Sequence, residues 1–94
     1  MKLYFAPNSR AVRIAWLLEE LELFYTLEKY SVGDRALRTS EYYKLHPMGR
    51  VPVLEDGNVK IYESGAIVQY LLARHSDGKL QPQIKDPAFP DYLQ

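Results

Sequence analysis

The sequence contains no cysteine. Disulfide bonds, thiolate metal sites and a cysteine nucleophile of the protein's own are therefore excluded. Net charge is absent as well, because the 12 basic and 12 acidic residues cancel. A balanced chain offers no general electrostatic attraction to nucleic acid or to an anionic membrane, so we predict neither as a partner.

Long apolar runs are also missing. No stretch approaches the roughly 20 residues that a membrane helix needs, and proline interrupts the first seven residues, MKLYFAP, too early for a secretory signal. We therefore expect a cytoplasmic location. The 94 residues, of which 47% are hydrophobic and 26% charged, have the length and composition of one globular domain.

The first half of the sequence predicts a βαβ unit. Residues 2–5 and 25–30 are rich in β-forming side chains. Between them, residues 10–23 repeat apolar side chains at helical spacing, with Asn8 or Ser9 available as the cap. A strand, a helix and a strand within thirty residues imply a parallel pair with a right-handed crossover.

The second half predicts a ββα unit. Residues 51–55 and 59–62 form strands around Asp56 and Gly57, a hairpin signal because the turn needs a positive φ. Residues 64–75 are apolar at helical spacing, whereas residues 31–45 are polar and only weakly helical. The predicted fold class is α/β, with βαβ and then ββα around a four-stranded mixed sheet and both long helices on one face.

The pattern changes after Ser76, where proline recurs at positions 82, 87 and 90. We expect one domain over residues 1–78. Residues 79–94 are predicted to be a linker and the start of a helical domain that this sequence does not contain. Without that domain, apolar side chains such as Val12, Trp16 and Tyr70 are expected to face outward from the two long helices.

Val51 and Pro52 stand where a strand is predicted to begin. Proline lacks the N–H that a central strand donates, so a trans proline that ends a loop is one explanation. A cis bond would instead turn the chain and leave the N–H and C=O of Val51 open to an extended peptide. On spacing alone, the trans form is favoured because few X–Pro bonds are cis.

Glu63 and Ser64 stand at the start of the last long helix. Free N–H groups at a helix N-terminus, with the Ser64 hydroxyl beside them, suit a carboxylate. Glu63 supplies a counter-charge for an ammonium group. The alternative is that Ser64 only caps the helix and Glu63 is a solvated acid that favours the helix dipole.

Taken together, these segments resemble the N-terminal domain of glutathione transferases. The matching segments are HPMGRVPVLE at 46–55 and ESGAI at 63–67. SRAVR at 9–13 followed by WLLEE at 16–20 is similar to the Gtt-type branch of fungi and bacteria. The resemblance covers residues 1 to about 80 and implies a thioredoxin-like fold.

The resemblance also implies how glutathione binds. A cis Val51–Pro52 step pairs with its cysteinyl backbone, and Glu63 and Ser64 hold its γ-glutamyl end. Arg50 and His46, with Lys44, lie in the segment that reaches the glycine carboxylate, and their cationic character fits that role. His46 has no partner at metal-ligand spacing, so we predict no metal site.

Three residues are candidates for activating the thiol of glutathione, which the family does with a donor near the end of the first strand. Lowering the thiol pKa by two units takes about 2.7 kcal/mol, and one hydrogen bond to a charged sulfur supplies about 1.5–3 kcal/mol. Ser9 matches serine-type members, Tyr4 the tyrosine-type position, and Asn8 an amide variant. We rank Ser9 first, because Tyr4 can simply pack against one face of the first strand.

The reaction that the resemblance implies is attack of the glutathione thiolate on a small electrophilic substrate. Glutathione is then a cosubstrate, with no metal or organic cofactor, and the full-length protein is expected to be a homodimer. The fragment alone is expected to have little activity, because the helical domain builds most of the electrophile pocket. The alternative is a non-catalytic glutathione-binding or protein-interaction module of the same fold. A glutaredoxin-type oxidoreductase is excluded by the lack of cysteine.

Overall fold

The computed structural model describes residues 1–31, 33–78 and 80–94. The strands are β1 (Lys2–Phe5), β2 (Thr26–Lys29), β3 (Val53–Asp56) and β4 (Val59–Tyr62). The helices are α1 (Ala11–Glu20), α2 (Ser40–Tyr43), α3 (Ser64–His75) and α4 (Phe89–Leu93), with a 3₁₀ turn at Arg35–Arg38. No helix in these ranges is long and apolar enough to cross a membrane.

The four strands form one mixed sheet in the order β2-β1-β3-β4. β1 pairs parallel with β2, and the β1–β3 and β3–β4 pairs are antiparallel. At the centre of the sheet, Leu3 lies between Leu27 and Leu54. The structure therefore confirms the predicted α/β fold of a βαβ unit followed by a ββα unit.

The two faces of the sheet are covered differently. Leu3 and Leu54 point toward α1 and α3, which pack side by side on one face as predicted. The opposite face carries Tyr4 and Val53 beneath the 3₁₀ turn and α2. Because adjacent residues of a strand point to opposite faces, each central strand contributes to both layers.

Helix α1 ends at Glu20, three residues earlier than predicted. Glu22 adopts a positive φ of 56°, its N–H donates to Glu19, and the N–H of Leu23 donates to Leu18. These two bonds are a Schellman motif, which satisfies the last carbonyl groups of the helix. The sequence lacks the glycine that usually marks such an end, so the apolar periodicity predicted a helix that is three residues too long.

Other element boundaries in the structure also differ from the predicted ones. Strand β3 begins at Val53 because Val51 and Pro52 precede the hydrogen-bonded ladder. The segment predicted as weakly helical contains the 3₁₀ turn and α2. The side chain of Asp34 caps the N-terminus of the 3₁₀ turn, and the side chain of Thr39 caps the N-terminus of α2. Helix α4 spans Phe89–Leu93, inside the segment predicted as a linker and the start of a helical domain. Val32 within this weakly helical segment and Lys79 at the predicted linker start lie outside the described residues.

The outer surface of α1 carries exposed apolar side chains, as predicted. Val12 is 45% exposed and Trp16 is 58% exposed. Tyr70 on α3 differs from the expectation, because it is only partly exposed and its hydroxyl donates to Asp56 at 2.7 Å. The hairpin turn is thereby tied to the middle of α3.

Candidate functional site

Two adjoining cavities lie where the loop before β3 meets the first turns of α1 and α3. The glutamate cavity, of about 240 Å³, is lined by Arg10, His46, Arg50, Val51, Pro52, Glu63 and Ser64. The serine cavity, of about 210 Å³, is lined by Ala6, Ser9, Gly33, Asp34, Leu37, Arg38, Gly49, Arg50 and Val51. Arg50 and Val51 belong to both cavities, so the two form one continuous site.

The loop that carries Arg50 and Val51 contacts α2 and the 3₁₀ turn. The Tyr42 hydroxyl donates to the carbonyl oxygen of Arg50 at 2.5 Å. Gly49 has a φ of +63°, and a Cβ at this position would stand 2.5 Å from the carbonyl oxygen of Leu37. Only glycine therefore lets the loop approach the 3₁₀ turn this closely.

The Val51–Pro52 peptide bond is cis, as predicted from the resemblance. Val51 precedes β3, and neither its N–H nor its C=O bonds to another described residue. A backbone donor and acceptor are thus presented together at the wall shared by the two cavities. This is the arrangement that an extended peptide needs in order to pair with a protein edge.

Glu63 and Ser64 stand at the N-terminus of α3, and their roles differ from a simple cap. The N-cap residue is Glu63, with a φ of 72° and no side-chain capping bond, while Ser64 is the first helical residue. A positive φ at a residue other than glycine costs about 1–3 kcal/mol, and such positions cluster at ligand-binding sites. The Ser64 hydroxyl makes no hydrogen bond within the described ranges, which does not support the alternative that Ser64 only caps the helix.

His46 lies in the wall of the glutamate cavity and is only 4% exposed. Its Nδ1 accepts from the Met48 N–H at 3.1 Å, and its ring packs tilted against the Tyr62 ring, with the two ring centroids 4.6 Å apart. Burial lowers the pKa of His46; Glu63 acts against this shift and Arg50 adds to it. The lowered pKa favours a neutral ring over the cationic character expected for His46, and a neutral ring whose Nδ1 accepts from Met48 carries its proton on Nε2.

Ser9 lines the serine cavity, next to Val51. Its hydroxyl donates to the Ala6 carbonyl at 2.6 Å and accepts from the Ala11 N–H at 3.2 Å. The oxygen therefore sits at the N-terminus of α1, where the helix dipole favours negative charge. To donate to a thiolate in the cavity, the hydroxyl has only to turn away from Ala6.

The structure does not bring Tyr4 or Asn8 to these cavities. Tyr4 is buried on the α2 face, where its hydroxyl donates to Glu55 at 2.6 Å. Burial raises the pKa of Tyr4, and the bond to Glu55 raises it further. Asn8 is exposed, with a positive φ of 57°, and its side chain lines neither cavity.

Two arginines that the sequence reasoning did not select are part of the site. Arg10 lines the glutamate cavity and Arg38 lines the serine cavity. Arg10 directly follows Ser9, so the position of the proposed hydroxyl donor was the signal that pointed to it. Lys44, which was expected near the glycine carboxylate, lines neither cavity.

In the part of the chain that the structure describes, no three side chains among His, Cys, Asp and Glu come together as a possible metal site. The chemical groups that meet in the two cavities are the backbone of Val51, hydroxyls at two helix N-termini, three arginines, one histidine, one glutamate and one aspartate. Such a set suits a short peptide that carries carboxylates and an ammonium group.

Known proteins are similar to this chain in sequence and in fold. Residues 1–73 match the family model for the glutathione S-transferase N-terminal domain. The chain is 42% identical over 88 residues to glutathione S-transferase hmp2 of Hypomyces subiculosus, covering 92% of this chain and 41% of the relative. It is 37% identical over 87 residues to glutathione S-transferase 3 of Schizosaccharomyces pombe, covering 92% and 35%.

Solved structures agree with this result. A glutathione transferase of Phanerochaete chrysosporium, solved with oxidized glutathione, has a TM-score of 0.84 at 31% identity and covers 99% of this chain and 44% of that one. A homolog from Lodderomyces elongisporus, with two glutathione molecules per subunit, has a TM-score of 0.84 at 28% identity and covers 95% and 44%. The fold is thus that of a thioredoxin-like domain.

The chain belongs to the glutathione S-transferase family, as its N-terminal domain. It spans less than half the length of these relatives. The finer prediction, membership of the Gtt-type branch, stays a prediction.

Proposed function

We propose that this chain binds glutathione across the two cavities and is the glutathione-binding domain of a transferase. The observation that carries the proposal is that Val51, Glu63 and Ser64 line one cavity. The backbone groups of Val51 and the hydroxyl of Ser64 bond to no other described residue. Val51 pairs with the cysteinyl backbone. Glu63 pairs with the γ-glutamyl ammonium group, and Ser64 donates to the neighbouring carboxylate.

The reaction follows from the serine cavity. Ser9 donates a hydrogen bond to the thiolate of bound glutathione, which lowers the thiol pKa so that the sulfur attacks a small electrophile. Arg50 and His46 bind the rest of the peptide, His46 as a neutral donor. Glutathione is a cosubstrate, and we propose that the protein needs no metal or organic cofactor.

The wider assignments rest on family membership. We propose residues 1–78 as the glutathione-binding domain and residues 79–94 as a linker toward a helical domain. The relatives that this chain matches are more than twice its length, which supports a further domain. A homodimer and a cytoplasmic location are proposed on the same ground.

Calorimetry with glutathione tests the binding mode. Ser64→Ala is expected to weaken binding by about 1–2 kcal/mol, because a charge-assisted hydrogen bond is lost. Ser40→Ala is the matched control, since Ser40 is also the first residue of a helix but lines neither cavity. Equal affinities of the two variants would contradict the proposed contact.

Thiolate absorbance followed against pH tests the chemistry. Ser9→Ala is expected to raise the thiol pKa of bound glutathione while changing its affinity little. Tyr4→Phe is expected to leave that pKa unchanged, because the Tyr4 hydroxyl is bonded to Glu55 outside the cavity. A larger shift in Tyr4→Phe than in Ser9→Ala would reverse the assignment. Binding with no lowering of the thiol pKa in the unmodified protein would favour the non-catalytic module.

A further inference from the structure

A separate cavity lies on the α2 face of the sheet and has no role in the proposed function. Its volume is about 380 Å³, within the range of roughly 300–1,000 Å³ that is typical of small-molecule sites. The described residues that line this tyrosine cavity are Lys2, Tyr4, Glu28, Tyr30, Ala36, Thr39, Glu41, Tyr42 and Leu45. None of them lines the glutamate cavity or the serine cavity, so the tyrosine cavity is a site of its own.

Three tyrosine rings pack together in the wall of this cavity. The rings of Tyr4 and Tyr30 are nearly parallel, with an interplanar angle of 15° and centroids 6.5 Å apart. The ring of Tyr42 packs edge-on against both, with centroid distances of 5.9 Å to Tyr4 and 5.6 Å to Tyr30. Because the face of an aromatic ring is negative, three rings in one wall attract a cation.

The side chain of Lys2 shows that this wall accepts a cation. Its Nζ lies 5.8 Å from the centroid of the Tyr4 ring, within the roughly 6 Å over which a cation–π contact acts. Two carboxylates, those of Glu28 and Glu41, line the same cavity. One positive and two negative side chains leave the wall with an excess of one negative charge, and none of the three forms an ion pair with a described residue.

The tyrosines lie in the field of these negative charges. Burial raises the pKa of Tyr30, and the charges of Glu28 and Asp34 raise it further. The Tyr4 hydroxyl donates to Glu55 at 2.6 Å, and a phenol that donates to a carboxylate has a more electron-rich ring. Both effects strengthen the attraction of the cavity for a cation.

The wall favours a cation that needs no hydrogen bonds. The hydroxyls of Tyr4 and Tyr42 already donate to other protein groups, and the carboxylates of Glu28 and Glu41 belong to exposed residues that water reaches. A primary ammonium group has three N–H bonds to satisfy, so it gains little by leaving water for this cavity. A quaternary ammonium group has no N–H bond, and aromatic rings are its usual binding partners.

We propose that the tyrosine cavity binds a small molecule of the size of choline that carries a quaternary ammonium group and no carboxylate. The methyl groups contact the ring faces, and Glu28 and Glu41 supply the counter-charge. The charged side chains keep the rim open to water, so the ligand is a free molecule and not the headgroup of a membrane lipid. The inference does not depend on the proposed function, because the glutathione cavities share no residue with this one.

The test is an NMR titration of this chain with choline. The N-methyl protons of choline should shift upfield and receive saturation from aromatic protons, because they lie over the ring faces. The neutral isostere, in which a tert-butyl group replaces the trimethylammonium group, should bind about 10-fold more weakly because the cation–π attraction is lost. Ethanolamine should also bind more weakly than choline, and phosphatidylcholine vesicles should not co-sediment with the chain.

Two charge variants locate the site. Lys2→Met should strengthen choline binding about 3-fold, because it removes a competing cation, and Glu28→Gln should weaken it about 3-fold. Glu20→Gln is the matched control, since Glu20 is an exposed glutamate on α1 that does not line the cavity. It should change the affinity by less than about 2-fold.

Two ring variants test the contact with the aromatic wall. Tyr30→Leu removes a ring face and should weaken choline binding about 5-fold. Tyr30→Phe keeps the ring and should stay within about 2-fold of the unmodified chain. The two charge variants decide the question if Tyr30→Leu does not fold.

Four results would overturn the proposal. Choline and its neutral isostere could bind equally, or Glu28→Gln could match Glu20→Gln. Equal binding of ethanolamine would reject the quaternary group, and binding to vesicles would reject the free ligand. Saturating glutathione should leave the affinity for choline unchanged; competition between the two would place choline in the glutathione cavities and would overturn the proposal as well.

Discussion

The two faces of the sheet are held by different forces. On the α1–α3 face, every member of the buried cluster is aliphatic: Leu3, Ile14, Leu17, Leu18, Leu21, Leu54, Ile67, Leu71 and Leu72. On the α2 face, the cluster is smaller and two of its four buried members, Tyr4 and Tyr42, carry hydroxyls that bond to specific partners. The first face is stabilised by burial of apolar surface, which is not directional, whereas the second positions its groups by hydrogen bonds, which are directional.

This difference separates stability from function. The loop of Gly49, Arg50 and Val51, which forms the wall shared by the two cavities, rests on the α2 face. Small substitutions on the α2 face should therefore affect ligand binding more than stability. Substitutions on the α1–α3 face should affect stability more than ligand binding.

The largest effect is expected on the aliphatic face. Leu18→Ala should lower the free energy of unfolding by about 2–5 kcal/mol, because Leu18 is fully buried and its truncation leaves a cavity. Val12→Ala, on the same helix but 45% exposed, should change it by less than about 0.5 kcal/mol. Urea denaturation followed by circular dichroism measures both. Similar losses in the two variants would show that α1 is not buried as described.

The next effect is expected at the close approach of the loop. Gly49→Ala and Gly57→Ala both place alanine at a positive φ, but open space surrounds Gly57 while a Cβ at Gly49 meets Leu37. The shared backbone cost cancels in the comparison, so Gly49→Ala should be less stable by about 1–3 kcal/mol because of the clash. Glutathione affinity, measured by calorimetry, should fall in Gly49→Ala alone. Equal stability of the two variants would mean that the loop has room to shift.

A smaller effect is expected from the hydroxyl beneath the loop. Tyr42→Phe removes the donor to the Arg50 carbonyl and should cost about 1–2 kcal/mol. Tyr30→Phe is the control, because the Tyr30 ring packs edge-on against Tyr42 at 5.6 Å while its hydroxyl bonds to no other described residue. If hydroxyl direction is what positions the site, only Tyr42→Phe should also weaken glutathione binding. Equal binding by both variants would argue that packing alone positions Arg50.

The smallest effect concerns pH. Burial lowers the pKa of His46, so the unfolded chain takes up a proton more readily than the folded chain. The contribution of His46 to stability is therefore full above the unfolded pKa, near 6.5, and is lost as the pH falls through the lower folded pKa. Urea denaturation at pH 7.5 and at successively lower pH should show this loss. His46→Asn should reduce it, whereas His75→Gln should leave the contribution of His46 in place; an unchanged pH dependence in His46→Asn would contradict the assignment.

Much of the fold could be predicted from the sequence. Alternating and helical apolar periodicity identified the β1-α1-β2 and β3-β4-α3 units, and the handedness of crossovers then put both long helices on one face. These patterns are local and repeat over several residues, so a single unusual position does not hide them. The end of α1 was missed because Glu22 takes a conformation that the sequence usually marks with glycine.

The candidate site was predictable in part. Val51, Pro52, Glu63 and Ser64 were selected from two short segments, and the structure brings all four to one cavity. Periodicity could not reveal that Arg10 lines this cavity while Arg13 does not, since both are polar residues of the segment predicted as one helix. Nor could it reveal that Tyr4 points away, because alternation along a strand assigns opposite faces without saying what covers each face.

The sequence by itself determined which chemical groups this protein has and which it lacks. The absence of cysteine removes redox chemistry of its own, and the local patterns determine the strands and helices. Only the tertiary structure decided the state of each group. Burial lowers the pKa of His46, and the bond to Glu55 occupies the hydroxyl of Tyr4. Ser64 is the first residue of α3, and its hydroxyl bonds to no other described residue. Burial and hydrogen bonding depend on residues far apart in the chain, which meet only when the sheet and its helices pack together.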